Sequence, residues 1–115
     1  MARNEKMHAC LLYCDGCPSH LPALERLVQV LAEEKIDAEI ELIKVESEEQ
    51  ARELKFIGSP TILIDGRDID PHPELQRYAL TCRAYRLEDG RISPLPSRET
   101  IRRGLLAALA GRRNG

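Results

Sequence analysis

Two cysteines separated by two residues, Cys14 and Cys17, are the part of this 115-residue sequence best suited to chemistry. The thiolate of such a pair is a nucleophile toward disulfides and a ligand for soft metal ions. Cys10 and Cys82 bring the total to four cysteines, a density far below that of a disulfide-stapled domain. The sequence therefore predicts thiols that are available for exchange chemistry or metal binding.

The composition predicts one globular domain over residues 1–115, with 43% hydrophobic residues, 31% charged residues and a net charge of −2. The near-zero charge and the scarcity of aromatic residues argue against nucleic-acid binding. No apolar run is long enough to span a membrane, and the N-terminus lacks a signal-peptide core. These features predict a cytoplasmic protein with no membrane partner, and a reducing compartment favours reactive thiols over structural disulfides.

The cysteine pair is predicted to lie where a strand ends and a helix begins. Met7–Tyr13 is a short apolar run, which is typical of a buried strand. From Pro18, apolar residues recur at helical spacing as far as Leu31. Alternation over Ile36–Val45 predicts a second strand, solvated on one face and parallel to the first.

A short helix and a third strand follow. Ser47 and Gln50 form a capping-box pattern that opens a helix expected to stop at Gly58. Thr61–Ile64 is β-branched and apolar and precedes an Asp-Gly turn signal, so it is predicted to be the third strand.

The next segment has more than one interpretation. The fourth strand is either Arg67–Ile69 or, after a small helix at Glu74–Leu80, Cys82–Leu87. Tyr85–Ile92 is alternatively a hairpin of its own, because it contains an Asp-Gly pair between two strand-like pieces.

A last helix is expected to be capped by Ser97 and closed by Gly111. The order βαβαββα predicts an α/β fold, in which a mixed four-stranded sheet has helices on both faces.

The strand, the Cys-x-x-Cys motif, the helix and the later Gly58-Ser59-Pro60-Thr61 before a strand together resemble the thioredoxin/glutaredoxin superfamily. The resemblance covers roughly Met7 to Gly66 and implies a thioredoxin-like fold. It also implies a cis peptide bond at Pro60, facing Cys14. The Cys-Arg-x-Tyr that begins at Cys82 is similar to small thioredoxin-like proteins sometimes labelled alkylmercury-lyase-like.

The sequence departs from the superfamily pattern at several places. Tyr13 stands where thioredoxins have a tryptophan, and Asp15-Gly16 replaces their Gly-Pro. The double glycine that helps glutaredoxins bind glutathione is absent after Ile69, so a dedicated glutathione site is not implied.

The predicted activity is thiol–disulfide exchange. Cys14, at the exposed end of the strand, is expected to attack a substrate disulfide, and Cys17, one turn inside the helix, to resolve the mixed disulfide. A helix N-terminus favours the thiolate, whereas the neighbouring Asp15 opposes it. The dithiol needs no further cofactor. The substrate is expected to be a protein or small-molecule disulfide, and the electron donor a reductase or a low-molecular-weight thiol.

Four residues are predicted to form the substrate groove. Ser59 and Thr61 are expected to hold the backbone that pairs with an extended peptide, unless they are ordinary strand-entry residues. Pro60 shapes the groove, and Tyr13 lies beside the first cysteine.

Two histidines are candidates for proton transfer. His20 follows Cys17 by three positions on the same predicted helix face and is either a general acid or a solvated surface residue. The resemblance implies that His8 occupies the place of a buried thioredoxin aspartate, six positions before Cys14. The alternative is a histidine with no role at the start of a strand.

Other functions remain open on the sequence alone. Cys14, Cys17 and Cys82 could bind a soft metal ion or an organomercurial if the loop before Cys82 folds back over the pair. Cys10 is expected to be structural. The CxxC could also be a pair of surface thiols or half of a zinc knuckle, or the chain could be a redox-inert thioredoxin-like adaptor.

Overall fold

A mixed four-stranded sheet organises the chain. The computed structural model describes residues 7–72 and 78–114, with side chains described to residue 111. Strand β1 (Met7–Tyr13) pairs in parallel with β2 (Ala38–Lys44) and antiparallel with β3 (Thr61–Ile64), which pairs antiparallel with β4 (Arg67–Asp68). The resulting order, β2-β1-β3-β4, confirms the predicted sheet.

Helices cover both faces of the sheet, as predicted. Helices α1 (His20–Glu33) and α3 (Arg98–Asn114) pack on the face that carries Ala9 and Leu11. The shorter α2 (Glu48–Leu54) packs on the opposite face. Because side chains alternate along a strand, β1 supplies both cores.

The smaller core lies beside the predicted site. Cys10, Leu12 and Cys14 share it with Ala51 of α2 and with Phe56. Cys10 is therefore a packing residue, as predicted, and burial raises the pKa of its thiol.

The alternatives for the fourth strand are settled in favour of residues 67 and 68, which form β4. The residues 85–92 form a separate hairpin, in which β5 (Tyr85–Arg86) pairs with β6 (Ile92–Ser93). The competing fourth strand, Cys82–Leu87, was therefore wrong, because Tyr85 and Arg86 pair with the strand that follows them along the chain.

The helix ends differ from prediction in two places. The Ser47 hydroxyl accepts the expected bond from the Gln50 N–H at 3.1 Å, but α2 ends at Leu54 because Lys55 takes a left-handed conformation (φ 55°). Helix α3 continues past Gly111 to residue 114. Gly111 therefore lies inside the last turns of α3 and does not end the helix.

Strand β2 is more exposed than its alternating pattern predicts. Ile40 and Leu42, in register with Ala9 and Leu11 of β1, are 37% and 48% exposed. Both belong to the edge strand of the sheet, which has a neighbour on one side only.

The small helix predicted at Glu74–Leu80 falls mostly on residues 73–77, which lie outside the described residues; residues 78–80 are not helical. Among the helices in the described ranges, none combines the length and apolarity that a membrane span requires.

Candidate functional site

The two cysteines of the CxxC motif lie in the loop between β1 and α1. Strand β1 ends at Tyr13, and α1 begins at His20 with Ser19 as its N-cap residue. The prediction that Cys17 lies one turn inside the helix is therefore wrong. Pro18 lies outside the helix, and Pro22 occupies the first helical turn, where a missing N–H costs little.

Both thiols of the motif are buried. Cys14 is 8% exposed and Cys17 is 7% exposed, so the expectation of an exposed Cys14 is also wrong. Cys82, in contrast, is exposed. All four cysteines are free thiols in this structure.

A cis peptide bond lies directly against Cys14. The bond between Ser59 and Pro60 is cis, in agreement with the resemblance. The Cys14 backbone N–H donates to the Ser59 hydroxyl oxygen, with 3.2 Å between the heavy atoms. The loop that precedes β3 is thus fixed to the end of β1 at the first cysteine of the motif.

The surroundings of Cys14 favour its neutral thiol. Burial raises the pKa of the Cys14 thiol, and the hydrogen bond from Ser59 lowers it. The charges of Cys17, Cys82 and Asp15 each raise the Cys14 pKa further. Removal from water therefore outweighs the favourable hydrogen bond, and the influence of Asp15 has the predicted direction.

Asp15 has a partner of its own. The Lys44 ammonium group lies 3.2 Å from the Asp15 carboxylate, and this contact raises the pKa of Lys44. Asp15 is exposed and follows Cys14 directly, so Lys44 partly neutralises the charge that opposes a Cys14 thiolate.

The segment around Cys82 completes the site. The Ser59 N–H donates to the Thr81 carbonyl at 2.7 Å, and the Arg83 N–H donates to the Ser59 carbonyl at 2.9 Å. These bonds make Cys82 the parallel ladder partner of Ser59. The Cys14 thiol also donates to the Thr81 carbonyl, 3.9 Å away.

Gly58 allows the segment of Cys82 to pack closely against the cis-proline loop. It has a φ of 152°, and a Cβ atom there would lie 2.8 Å from the Arg83 Cα atom. A side chain at position 58 would therefore push the segment of Cys82 away from the cis-proline loop.

The predicted groove residues are less accessible than a substrate-binding role requires. Ser59 and Thr61 are fully buried, Pro60 is buried, and both backbone hydrogen bonds of Ser59 are made within the chain. Among the four, Tyr13 alone is partly exposed.

The two predicted proton-transfer residues have different positions. The His20 Nδ1 donates to the Cys17 carbonyl at 2.9 Å, and the His20 ring stacks on Tyr13 with 4.2 Å between centroids. Because a carbonyl only accepts, Nδ1 carries the proton, and Nε2 of the neutral ring holds a lone pair.

His8 lies at the far end of β1, about 20 Å from Cys14 at the usual rise per residue, and pairs with Glu41 at 3.2 Å. The structure therefore brings His20 to the backbone of Cys17 and leaves His8 far from Cys14.

The sequence analysis did not assign a role to Arg83. Its guanidinium is buried and donates to the Asp68 carboxylate at 3.0 and 3.1 Å and to the Asp70 carbonyl at 2.7 Å. It also contacts the Thr61 hydroxyl (3.2 Å) and the Tyr85 hydroxyl (3.4 Å). We call these five residues the arginine network.

The arginine network also holds the cis-proline loop in place. The Tyr85 hydroxyl donates to the Pro60 carbonyl at 2.7 Å, and burial strongly raises the pKa of this phenol. The signal in the sequence was the Cys-Arg-x-Tyr motif, which places Cys82, Arg83 and Tyr85 on one short segment.

Cys14 and Cys82 thus lie against the cis-proline loop, and Cys17 follows Cys14 by three residues. We call Cys14, Cys17 and Cys82 the thiol cluster. Within residues 7–72 and 78–114, no group of three histidine, cysteine or acidic side chains is close enough to hold a metal ion. A metal bound by all three thiols would therefore require them to move.

No protein-family model matches this chain, and no curated protein is significantly similar to it.

Proposed function

We propose that this chain is a thiol–disulfide oxidoreductase of the thioredoxin-like class, in which Cys14 is the nucleophile and Cys17 the resolving thiol. The observation that carries the proposal is the contact of Cys14 with the loop of the cis Ser59–Pro60 bond, with Cys17 three residues away and both thiols free. The mixed sheet with helices on both faces is compatible with a thioredoxin-like fold.

The reaction needs only the protein dithiol. The Cys14 thiolate attacks one sulfur of a disulfide, a mixed disulfide forms, and the other sulfur leaves as a thiolate. Cys17 then attacks Cys14, which releases the second thiol and leaves a Cys14–Cys17 disulfide. A reductase or a low-molecular-weight thiol returns the pair to the dithiol state.

His20 is the candidate acid for this reaction. Its Nδ1–H is committed to the Cys17 carbonyl, so protonation at Nε2 would supply the proton that the leaving thiolate takes up. Because burial raises the Cys14 pKa, the neutral thiol is the resting form, and Cys14 attacks a disulfide only after its proton has been removed.

The proposal is tested by counting alkylatable thiols, with peptide mapping, across a series of glutathione redox buffers. Cys14 and Cys17 are expected to pair reversibly at a potential between about −300 and −120 mV, the range of known dithiol oxidoreductases. Cys14→Ser and Cys17→Ser should each abolish pairing and disulfide reduction. Cys10→Ala, which removes a thiol from the core beside α2, is the matched control and should retain both.

If Cys14 and Cys17 never pair in any of these buffers, the proposal is wrong and a redox-inert adaptor takes its place.

Soft-metal or organomercurial binding is a second candidate, because the exposed Cys82 lies beside the loop that contacts Cys14. It predicts uptake of one equivalent of a thiophilic ion such as copper(I) or mercury(II), lost in Cys82→Ser. Titration of the reduced protein with the ion, monitored by thiolate-to-metal absorption, distinguishes it from simple oxidation.

A further inference from the structure

The thiol cluster contains an accessibility problem that the proposed function alone does not solve. Cys14 and Cys17 are both more than nine-tenths buried, and the backbone edge of Ser59 is occupied by residues 81 and 83. A disulfide in solution therefore has little access to the sulfur atom of Cys14 or of Cys17. The exposed thiol of the cluster is Cys82.

The backbone brings Cys82 close to Cys14. The Cys14 sulfur lies 3.9 Å from the Thr81 carbonyl oxygen. That oxygen belongs to the peptide unit that ends at the Cα atom of Cys82, so the Cys14 sulfur lies within about 7 Å of this Cα atom. Cys82 is therefore a neighbour of Cys14, and a disulfide between them, with its Cα atoms about 4.4–6.8 Å apart, forms by movement of the exposed Cys82 segment toward Cys14.

The ladder register also orients Cys82 toward Cys14. Ser59 and Cys82 are direct partners in a parallel bridge, and side chains in register on neighbouring strands leave the same face. The Ser59 hydroxyl contacts the Cys14 backbone. The next residue, Arg83, points to the other side, toward Asp68. Cys82 therefore leaves the backbone on the side of the thiols.

We propose that Cys82 is a third reacting thiol, which takes up the substrate disulfide and presents it to Cys14. This inference rests on the proposed function, and it identifies the bond that Cys14 attacks as a mixed disulfide between Cys82 and the substrate.

The electrons balance over three exchanges. The Cys82 thiolate attacks the substrate disulfide, forms a mixed disulfide and releases the first substrate thiol. Cys14 attacks the Cys82 sulfur, which forms a Cys14–Cys82 disulfide and releases the second substrate thiol. Cys17 attacks Cys14, which forms Cys14–Cys17 and returns Cys82 as a thiol. The protein loses two electrons and two protons, and the substrate gains both.

The first test measures the rate at which reduced protein is oxidised by the coloured disulfide dithiobis(nitrobenzoate), with rapid acid quenching and peptide mapping. In Cys82→Ser, formation of the Cys14–Cys17 disulfide is expected to slow by about tenfold or more, because both remaining site thiols are buried. The reduction potential of the pair should stay unchanged, since Cys82 is a thiol in both end states. Cys10→Ala serves as the control and should react at the wild-type rate.

The second test traps the intermediate. In Cys17→Ser, one equivalent of the coloured disulfide should release two equivalents of nitrothiobenzoate and leave a Cys14–Cys82 disulfide. Cys17→Ser combined with Cys82→Ser should release one equivalent and retain a mixed disulfide.

Wild-type oxidation rates in Cys82→Ser would overturn the inference. So would a Cys17→Ser protein that keeps a mixed disulfide on Cys14 while Cys82 remains alkylatable. In both cases Cys14 and Cys17 still pair in redox buffers, so the proposed function survives. Failure of the wild-type pair to form at all removes the proposed function and this inference together, and the redox-buffer series detects that separately.

Discussion

The thiol cluster and the arginine network lie on opposite sides of the same two pieces of chain, the cis-proline loop and residues 81–85. On one side, the Cys14 thiol is buried with its pKa raised and two other thiols nearby. On the other side, the buried Arg83 guanidinium has several oxygen partners, including the Asp68 carboxylate. Adjacent residues, Cys82 and Arg83, serve the two sides because side chains alternate along extended backbone.

The difference teaches which groups are free to react. A buried charge is tolerated only when it is paired and hydrogen-bonded, so the arginine network has one stable arrangement. A buried neutral thiol carries no such cost and can ionise when a proton acceptor and an electrophile arrive. The arginine network therefore fixes the cis-proline loop on one side, and the three thiols lie on the other.

The largest expected effect is a loss of stability when the arginine network is broken. Arg83→Ala leaves the Asp68 carboxylate without its partner and should lower the free energy of unfolding by about 3–5 kcal/mol, measured by urea denaturation. Arg91→Ala is the matched control: Arg91 pairs with Asp89 at the surface, and its loss should cost less than about 1 kcal/mol. Equal effects of the two substitutions would contradict the structural role of the network.

A smaller loss of stability is expected when the Tyr85 hydroxyl group is removed. Tyr85→Phe removes the donor to the Pro60 carbonyl and leaves a buried acceptor unsatisfied, which should cost about 1–3 kcal/mol of stability. Tyr13→Phe keeps the ring that stacks on His20 and should change stability far less. Thermal unfolding of both variants checks the comparison, and an unchanged Tyr85→Phe protein would contradict it.

On the thiol side, Ser59→Ala should change reactivity. The hydrogen bond from Ser59 lowers the Cys14 pKa, so its loss raises that pKa and reduces the thiolate fraction at neutral pH. Alkylation of Cys14 by iodoacetamide should slow by about 3–10-fold, since a hydrogen bond contributes about 0.5–1.5 kcal/mol. The rate profile should also move to higher pH.

Ser97→Ala is the control for that measurement. It removes the N-cap of α3, where the Ser97 hydroxyl accepts from the Thr100 N–H at 3.1 Å. It should cost about 1 kcal/mol of stability without altering the Cys14 pH profile. A profile that moves equally in both variants would mean that stability, not the hydrogen bond, controls the thiol.

The smallest expected effect is a faster alkylation of Cys14, opposite to the slowing expected for Ser59→Ala. The Asp15 carboxylate raises the Cys14 pKa, so Asp15→Asn lowers it and increases the thiolate fraction below that pKa. Because Asp15 is exposed and paired with Lys44, the acceleration of Cys14 alkylation should be only about 2–3-fold at low salt, and smaller at high salt. Lys44→Gln leaves Asp15 unneutralised and should slow alkylation. An acceleration in both variants would contradict this assignment.

Local patterns in the sequence predicted most of the elements. The apolar run at Met7–Tyr13, the Ser47 capping box and the β-branched run at Thr61–Ile64 lie where expected. Their signals are local, since burial, capping and turn chemistry act over a few residues. Helix α1 began later than expected because helical spacing does not reveal which of two prolines occupies the first turn.

The sequence by itself determined the chemistry available at this site: the spacing of Cys14 and Cys17, and the Ser-Pro-Thr before a strand. Only the tertiary structure decided which thiols are buried, that His8 lies far from them, and that Cys82 and Arg83 lie beside the cis-proline loop. The contact between Ser59 and Cys82 joins residues 23 positions apart across a segment with no periodic pattern. Such a pairing depends on the close approach at Gly58 and on the ion pair of Arg83 with Asp68, which no local pattern specifies.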